Sequence, residues 1–131
     1  MCGACLNINV GSVNEKIDGL AHFLEHMVFM GSNKYPDSND FMANINKNGG
    51  KTNAYTSDTD TNYHFTSSSE SFLVNLDKFA QFFLDPLLKE EYVNLFRQGY
   101  IEQNKQIQLT YESYVQILLF RSRERSRLRL L

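Results

Sequence analysis

Residues 21–31 read AHFLEHMVFMG, three ionisable side chains set in an otherwise apolar run. Drawn as a helix at roughly 100° per residue with His22 at zero, His26 falls near 40°, Glu25 near 300° and Phe29 near 340°. Leu20, Ala21, Phe23, Leu24, Met27, Val28 and Met30 fill the remaining arc. A helix apolar nearly all round belongs in a core. There, ionisable groups without partners cost several kcal/mol or are neutralised. The expectation is that His22, Glu25 and His26 are buried together and that something compensates.

A divalent metal compensates well. Two neutral imidazoles one helical turn apart can reach a single ion, and zinc is the default for nitrogen ligands at a hydrolytic site. Glu25, one position before the second histidine, stands close to that ion without having to ligate it and is placed to take a proton from water. The order is that of an H-E-x-x-H helix read backwards. Two other arrangements use the same residues: core histidines satisfied by backbone carbonyls with Glu25 paired to one of them, or a histidine pair at a protein interface.

Working outward, Asp18 is the expected N-cap and Gly31 the expected stop of this helix. Upstream, CLNINV at 5–10 alternates, with Leu6, Ile8 and Val10 predicted on the buried face of a strand. Downstream, NKYPD at 33–37 is a loop. Ser38 then caps a helix whose stripe is Phe41, Met42 and Ile45 and which Gly49-Gly50 ends. TNAYTS at 52–57 and NYHFT at 62–66, separated by the polar SDTDT, predict a hairpin; His64 is expected on its surface, without a role. A further helix spans 70–84, with Phe72, Leu73, Leu76, Phe79, Ala80 and Phe83 as its packing stripe. Residues 89–121 look mostly helical. About three strands mixed with helices make an α+β fold with a small antiparallel sheet.

The 131 residues suffice for one core, with 42% hydrophobic and 21% charged residues. No apolar run approaches bilayer length and the N-terminus lacks a signal-peptide pattern, so no membrane association is expected. A net charge of −2 gives no global attraction to nucleic acid. Residues 121–131, RSRERSRLRLL, carry +4 and leave −6 on the first 120. Such a tail is usually a solvated, frayed end. Cys2 and Cys5 form a CxxC with no second pair to complete a four-thiolate zinc site. They read as reduced thiols on a strand, which favours an intracellular, cytoplasmic setting.

GLAHFLEHMVFMGSNKYPD resembles the active-site segment of the M16 metallopeptidases, the inverzincins, and most of all their insulin-degrading enzyme and nardilysin branch. GGKTNAYTSDTDTNYHF, LDKFAQFFLDPL and CLNINVGS match in the same order, so the likeness covers roughly residues 4–90. It implies an α+β peptidase domain, in part, over 1–120. It also implies one zinc held by His22 and His26, Glu25 as catalytic base, and hydrolysis of internal bonds in peptides or small proteins. Zinc would acidify a water and polarise the scissile carbonyl, and Glu25 would carry the proton to the leaving amine. Asn53, Ala54 and Tyr55 match the family strand beside the zinc, to which an extended peptide can add. Phe29 is expected either to wall a substrate pocket or to pack in the core. Further M16 domains or a partner subunit would complete the enclosure of substrate.

The family's third ligand is a glutamate on a later helix, with another glutamate seven residues earlier. In ungapped register those positions hold Gln103 and Phe96; Glu102, one place away, is the expected ligand if the preceding loop is one residue shorter. The likeness fades from about Tyr92, which a truncated or misassembled reading frame would explain. The leading reading is a zinc metalloendopeptidase or its catalytic segment. The runner-up readings are a non-catalytic relative that binds peptide or a partner subunit, and a fragment that does not fold alone.

Overall fold

The computed structural model describes residues 1–16 and 18–90. The chain divides into two units, Met1–Lys89 and Glu90–Leu131, and the strands and helices below belong to the first. The expected basic tail at 121–131, and the boundary before it, lie outside the described residues.

Among the described residues, three strands and three α-helices are present: β1 (Cys2–Ile8), α1 (Leu20–Val28), α2 (Asp40–Lys47), β2 (Lys51–Thr56), β3 (Thr61–Ser67) and α3 (Phe72–Leu84). The sheet is antiparallel in the order β1-β3-β2. Cys2 pairs with Ser67 and Ile8 with Thr61 across β1–β3, while Lys51 pairs with Thr66 and Thr56 with Thr61 across β2–β3. The predicted hairpin is therefore β2–β3, closed by Ser57, whose N–H donates to Asp60 O at 2.8 Å and whose hydroxyl donates to Asp60 Oδ1 at 2.7 Å. The sharp entry into β2 requires Gly50, since a Cβ there would lie 2.0 Å from the carbonyl oxygen of Thr66.

One face of the sheet is covered. Phe41 and Ile45 of α2, Tyr63 and Phe65 of β3, and Phe79 and Phe82 of α3 form the core, with Ala4, Leu6, Ala54 and Phe72 packed against it. Ring pairs such as Phe41–Phe82 (5.1 Å, edge to face) and Phe65–Phe79 (5.2 Å) tie α2 to α3 and α3 to the sheet. The opposite face carries Cys5, Asn7, Asn62 and His64, linked by side-chain bonds from Asn62 Nδ2 to Cys5 Sγ and to Asn7 Oδ1 and by a His64 Nδ1–Asn62 Oδ1 contact at 2.8 Å. Both cysteines are free. Three residues apart on one strand, they lie on opposite faces and roughly 10 Å apart, beyond the reach of a disulfide.

Several expectations are corrected. The first strand begins at Cys2, not Cys5, and ends at Ile8, because β3 offers no partner beyond Thr61. Val10 folds back, its N–H donating to Ile8 O, and both Ile8 and Val10 are exposed. In α2, Phe41 and Ile45 are buried but Met42 is half exposed; in α3, Leu73 is 75% exposed whereas Asn75, Lys78 and Phe82 are buried. Lys78 keeps its charge inside by pairing with Asp40 at 2.7 Å.

Candidate active site

The segment ahead of α1 is fastened to the hairpin turn. Ser12 N–H donates to Ser57 O (3.0 Å), Val13 N–H to Asp58 O (2.9 Å), and the Ser12 hydroxyl to Asp58 Oδ1 (3.1 Å). This delivers Glu15 to the start of α1. The helix is not capped by Asp18 as expected. Gly19 takes the left-handed conformation (φ 81°), and the Glu15 carboxylate accepts from Gly19 N–H at 2.9 Å and Ala21 N–H at 2.6 Å. One side chain satisfies two of the four orphan donors of the helix N-terminus, and its charge suits the positive end of the dipole.

The next two turns of α1 distribute its residues unevenly. Ala21, Phe23 and Met27 are buried, as is Glu25 at 8% exposure. His22 and His26, expected inside, are exposed. Their sector of the helix opens on a cleft beside β2, so only the carboxylate bears the full cost of burial. That cost is met by Thr56, whose hydroxyl donates to Glu25 Oε2 at 2.8 Å. Glu25 in turn, together with burial as the larger cause, pushes the Tyr63 phenol up to about 12, so Tyr63 stays protonated and neutral.

The two imidazoles converge. Their Nε2 atoms stand 2.9 Å apart and their ring centroids 4.8 Å, with the rings tilted by 46°. Such a contact needs one N–H and one lone pair, which two neutral rings supply. The His26 pKa lies below the usual histidine value, chiefly because neighbouring atoms displace water from the ring and secondarily because His22 opposes a second positive charge. That bias holds His26 neutral, the form a metal requires. Nitrogens bound to one tetrahedral zinc at about 2.0–2.1 Å stand roughly 3.3 Å apart. The observed separation is within a few tenths of an ångström of this, and the donor set fits the ion. Among the described residues, no group of three or more His, Cys, Asp or Glu side chains is arranged to hold a metal. The expected third ligand Glu102, and the positions Gln103 and Phe96, lie outside them.

The cleft has a volume of about 580 Å³. His22, Glu25 and His26 face Asn53, Ala54, Tyr55 and Thr56 across it, with Ser12, Glu15 and Gly19 closing one end. Six of the residues singled out in the sequence are therefore brought together. Phe29 is not among those lining the cleft. It follows the last turn of α1, is partly buried, and packs against the core on Phe41 (6.5 Å between centroids), Tyr63 (6.0 Å) and Phe82 (5.5 Å). Two residues with clear roles here, Glu15 and Thr56, escaped the sequence reading. Glu15 carried a usable signal, a carboxylate four residues before a glycine at the start of an apolar helix. Thr56 carried none, since its partner is 31 residues away.

The family model described as insulinase, peptidase family M16, matches residues 1–127, past the expected end of the likeness near residue 90. Insulin-degrading enzyme-like 2 of Arabidopsis thaliana is 51% identical over 92 residues, which are 69% of this chain and 10% of that protein. Human insulin-degrading enzyme is 45% identical over 89 residues, 66% of this chain and 9% of that one. Among solved structures, the crystal structure of pitrilysin superposes with a TM-score of 0.68 at 31% identity, over 74% of this chain and 11% of that chain. The chain spans about a tenth of the length of these relatives. Motif, α+β fold and family match coincide on the same residues, and the chain belongs to the insulinase family of peptidases, M16.

Proposed function

We propose that this chain carries the catalytic segment of a zinc-dependent endopeptidase that hydrolyses internal bonds of peptides or small proteins. The observation that carries the reading is the pair of Nε2 atoms 2.9 Å apart on the open sector of α1, with the Glu25 carboxylate fixed beside them. His22 and His26 are the imidazole ligands, and Glu102 is the proposed third. When bound, zinc supplies Lewis-acid polarisation of the scissile carbonyl and a lowered pKa for water.

The residues of the chain do the rest. Thr56 occupies Oε2 of Glu25, which leaves Oε1 to accept the proton of the attacking water and pass it to the leaving amine. Asn53, Ala54 and Tyr55 lie on an edge strand with no neighbour on its outer side among the described residues, so an extended peptide can add there through main-chain hydrogen bonds. Substrate is thereby held as a strand directly across from the base. Further M16 domains, or a partner subunit, complete the enclosure.

The test pairs metal content with turnover. His22→Ala and His26→Ala are expected to drop bound zinc from about one per chain toward none after dialysis. Glu25→Gln is expected to keep the zinc and lose on the order of 10²–10⁴ in kcat on an internally quenched peptide. Turnover that survives Glu25→Gln would exclude Glu25 as the base.

A further inference from the structure

A second cleft, of about 700 Å³, lies along the other half of β2. It is lined by Met42 and Asn46 of α2, by Lys51, Thr52 and Asn53 of β2, and on the far side by residues of β3 that include His64. Asn53 belongs to both clefts, and between them they take in all six residues of β2. Both clefts thus border β2, and they share Asn53. The imidazoles and Glu25 share a cleft with Asn53–Thr56 of this strand, and Met42 and Asn46 of α2 share the other with Lys51–Asn53.

The two halves differ in charge. The active-site half holds the carboxylates of Glu15 and Glu25 and no lysine or arginine. The other half holds Lys51 and no carboxylate. Lys51 is exposed and makes no ion pair with any described residue. Beside it, Met42 is half exposed, an apolar side chain on a polar turn of α2. A strand advances about 3.3 Å per residue, so Lys51 is roughly 10–16 Å along the edge from Ala54–Thr56. A peptide added to that edge keeps the same pace.

Resting on the endopeptidase reading, we propose that this second cleft is an extended substrate subsite that selects an acidic residue, aspartate or glutamate, roughly three to five positions from the scissile bond. Lys51 pairs with the carboxylate, and Met42 covers the methylene stem that carries it. Asn46 and Asn53 offer amide hydrogen-bond partners to the peptide backbone on either side.

The experiment uses internally quenched peptides that share one neutral frame and carry Asp, Asn or Lys at each position from five before to five after the bond cut in that frame. Cleavage is read as kcat/KM ratios within each protein variant. Binding of the same peptides to the inert Glu25→Gln variant is read by fluorescence anisotropy. The wild type is expected to favour Asp over Lys about fivefold at one or two positions on one side of the bond, in cleavage and binding alike. The preference shrinks in 0.5 M salt. Lys51→Glu is expected to invert the ratio at those same positions, and Lys51→Met to bring it near one. A neutral peptide that is bound and cut with no charge preference, or a preference that Lys51→Glu leaves unchanged, overturns the subsite and leaves the endopeptidase reading standing. Failure of every peptide to bind or be cut overturns both.

Discussion

Thr56→Val removes a hydroxyl and leaves a side chain of the same shape. In the wild type that hydroxyl donates to Glu25 Oε2 at 2.8 Å, and Glu25 is 8% exposed, so little water is at hand to take over the bond. A hydrogen bond to a charged acceptor contributes about 1.5–3 kcal/mol net. Part of this is recovered as the carboxylate rotates toward the cleft, and the rotation itself takes Oε1 out of line with the attacking water. At about 1.4 kcal/mol per factor of ten, kcat is expected to fall about 10- to 100-fold, with KM within about threefold, since β2 keeps its backbone. Thr56→Ser restores the donor and is expected to recover most of the loss. In a Glu25→Gln background, Thr56→Val is expected to change the residual rate less than about twofold, because the two residues act as one unit. The assay is steady-state cleavage of a quenched peptide with zinc content measured on every variant. A Thr56→Val enzyme within threefold of wild type, or the same fold loss in both backgrounds, would refute the idea that the hydroxyl positions the base.

Glu15→Ala strips the cap from the helix that carries the site. It is expected to cost about 1–2 kcal/mol, lowering Tm by roughly 4–8 °C per kcal/mol for a unit of this size, as read by circular dichroism. Glu15→Gln should fall between it and the wild type. Asp40→Ala leaves the buried Lys78 ammonium without its partner and is expected to destabilise by about 2 kcal/mol in urea titrations, more than Lys78→Met, which removes the charge along with the need for it. Asp77 has its pKa lowered, first by the hydrogen bond from Lys34 and then by that from Tyr35. A carboxylate with a lowered folded value adds stability above its ordinary value of 3.8 and loses it as pH falls through the lowered one. Asp77→Asn is therefore expected to lower stability slightly in the neutral region, to converge with the wild type below the lowered value, and so to flatten that part of the acid limb of the stability profile.

Much of the frame was legible because it is local. The hairpin announces itself in six or seven residues of Thr, Tyr and Phe on either side of a polar turn, and the α2 stripe in Phe41 and Ile45. What misled was polarity at the centre of a buried face. The inner side of α3 runs through Asn75, Lys78 and Phe82 as well as Phe79, so a stripe drawn through apolar residues alone turned the helix toward Leu73, which is exposed. In β1 the alternation continues past Ile8 but the partner strand does not, and pairing rather than pattern ends a strand. The histidines repeat the lesson at the site. The helical wheel put His22, Glu25 and His26 in one sector, and they are together. A wheel cannot say that this sector opens on a cleft, so only Glu25 is buried. Glu15 and Thr56 complete the site from a loop and a strand that only folding brings to it.

The open edge of β2 has a consequence for how copies of the molecule behave toward one another. A strand that must receive a foreign chain cannot be covered, kinked by a bulge or blocked by proline without losing that ability, and among the described residues β2 has none of these protections. Its main-chain groups are as ready to pair with the same strand of a second molecule as with a substrate. Lys51 then acts as a gatekeeper, since a charged side chain on an open edge disfavours burying that edge against a second copy. A peptide paired with that edge would double as a shield against self-association.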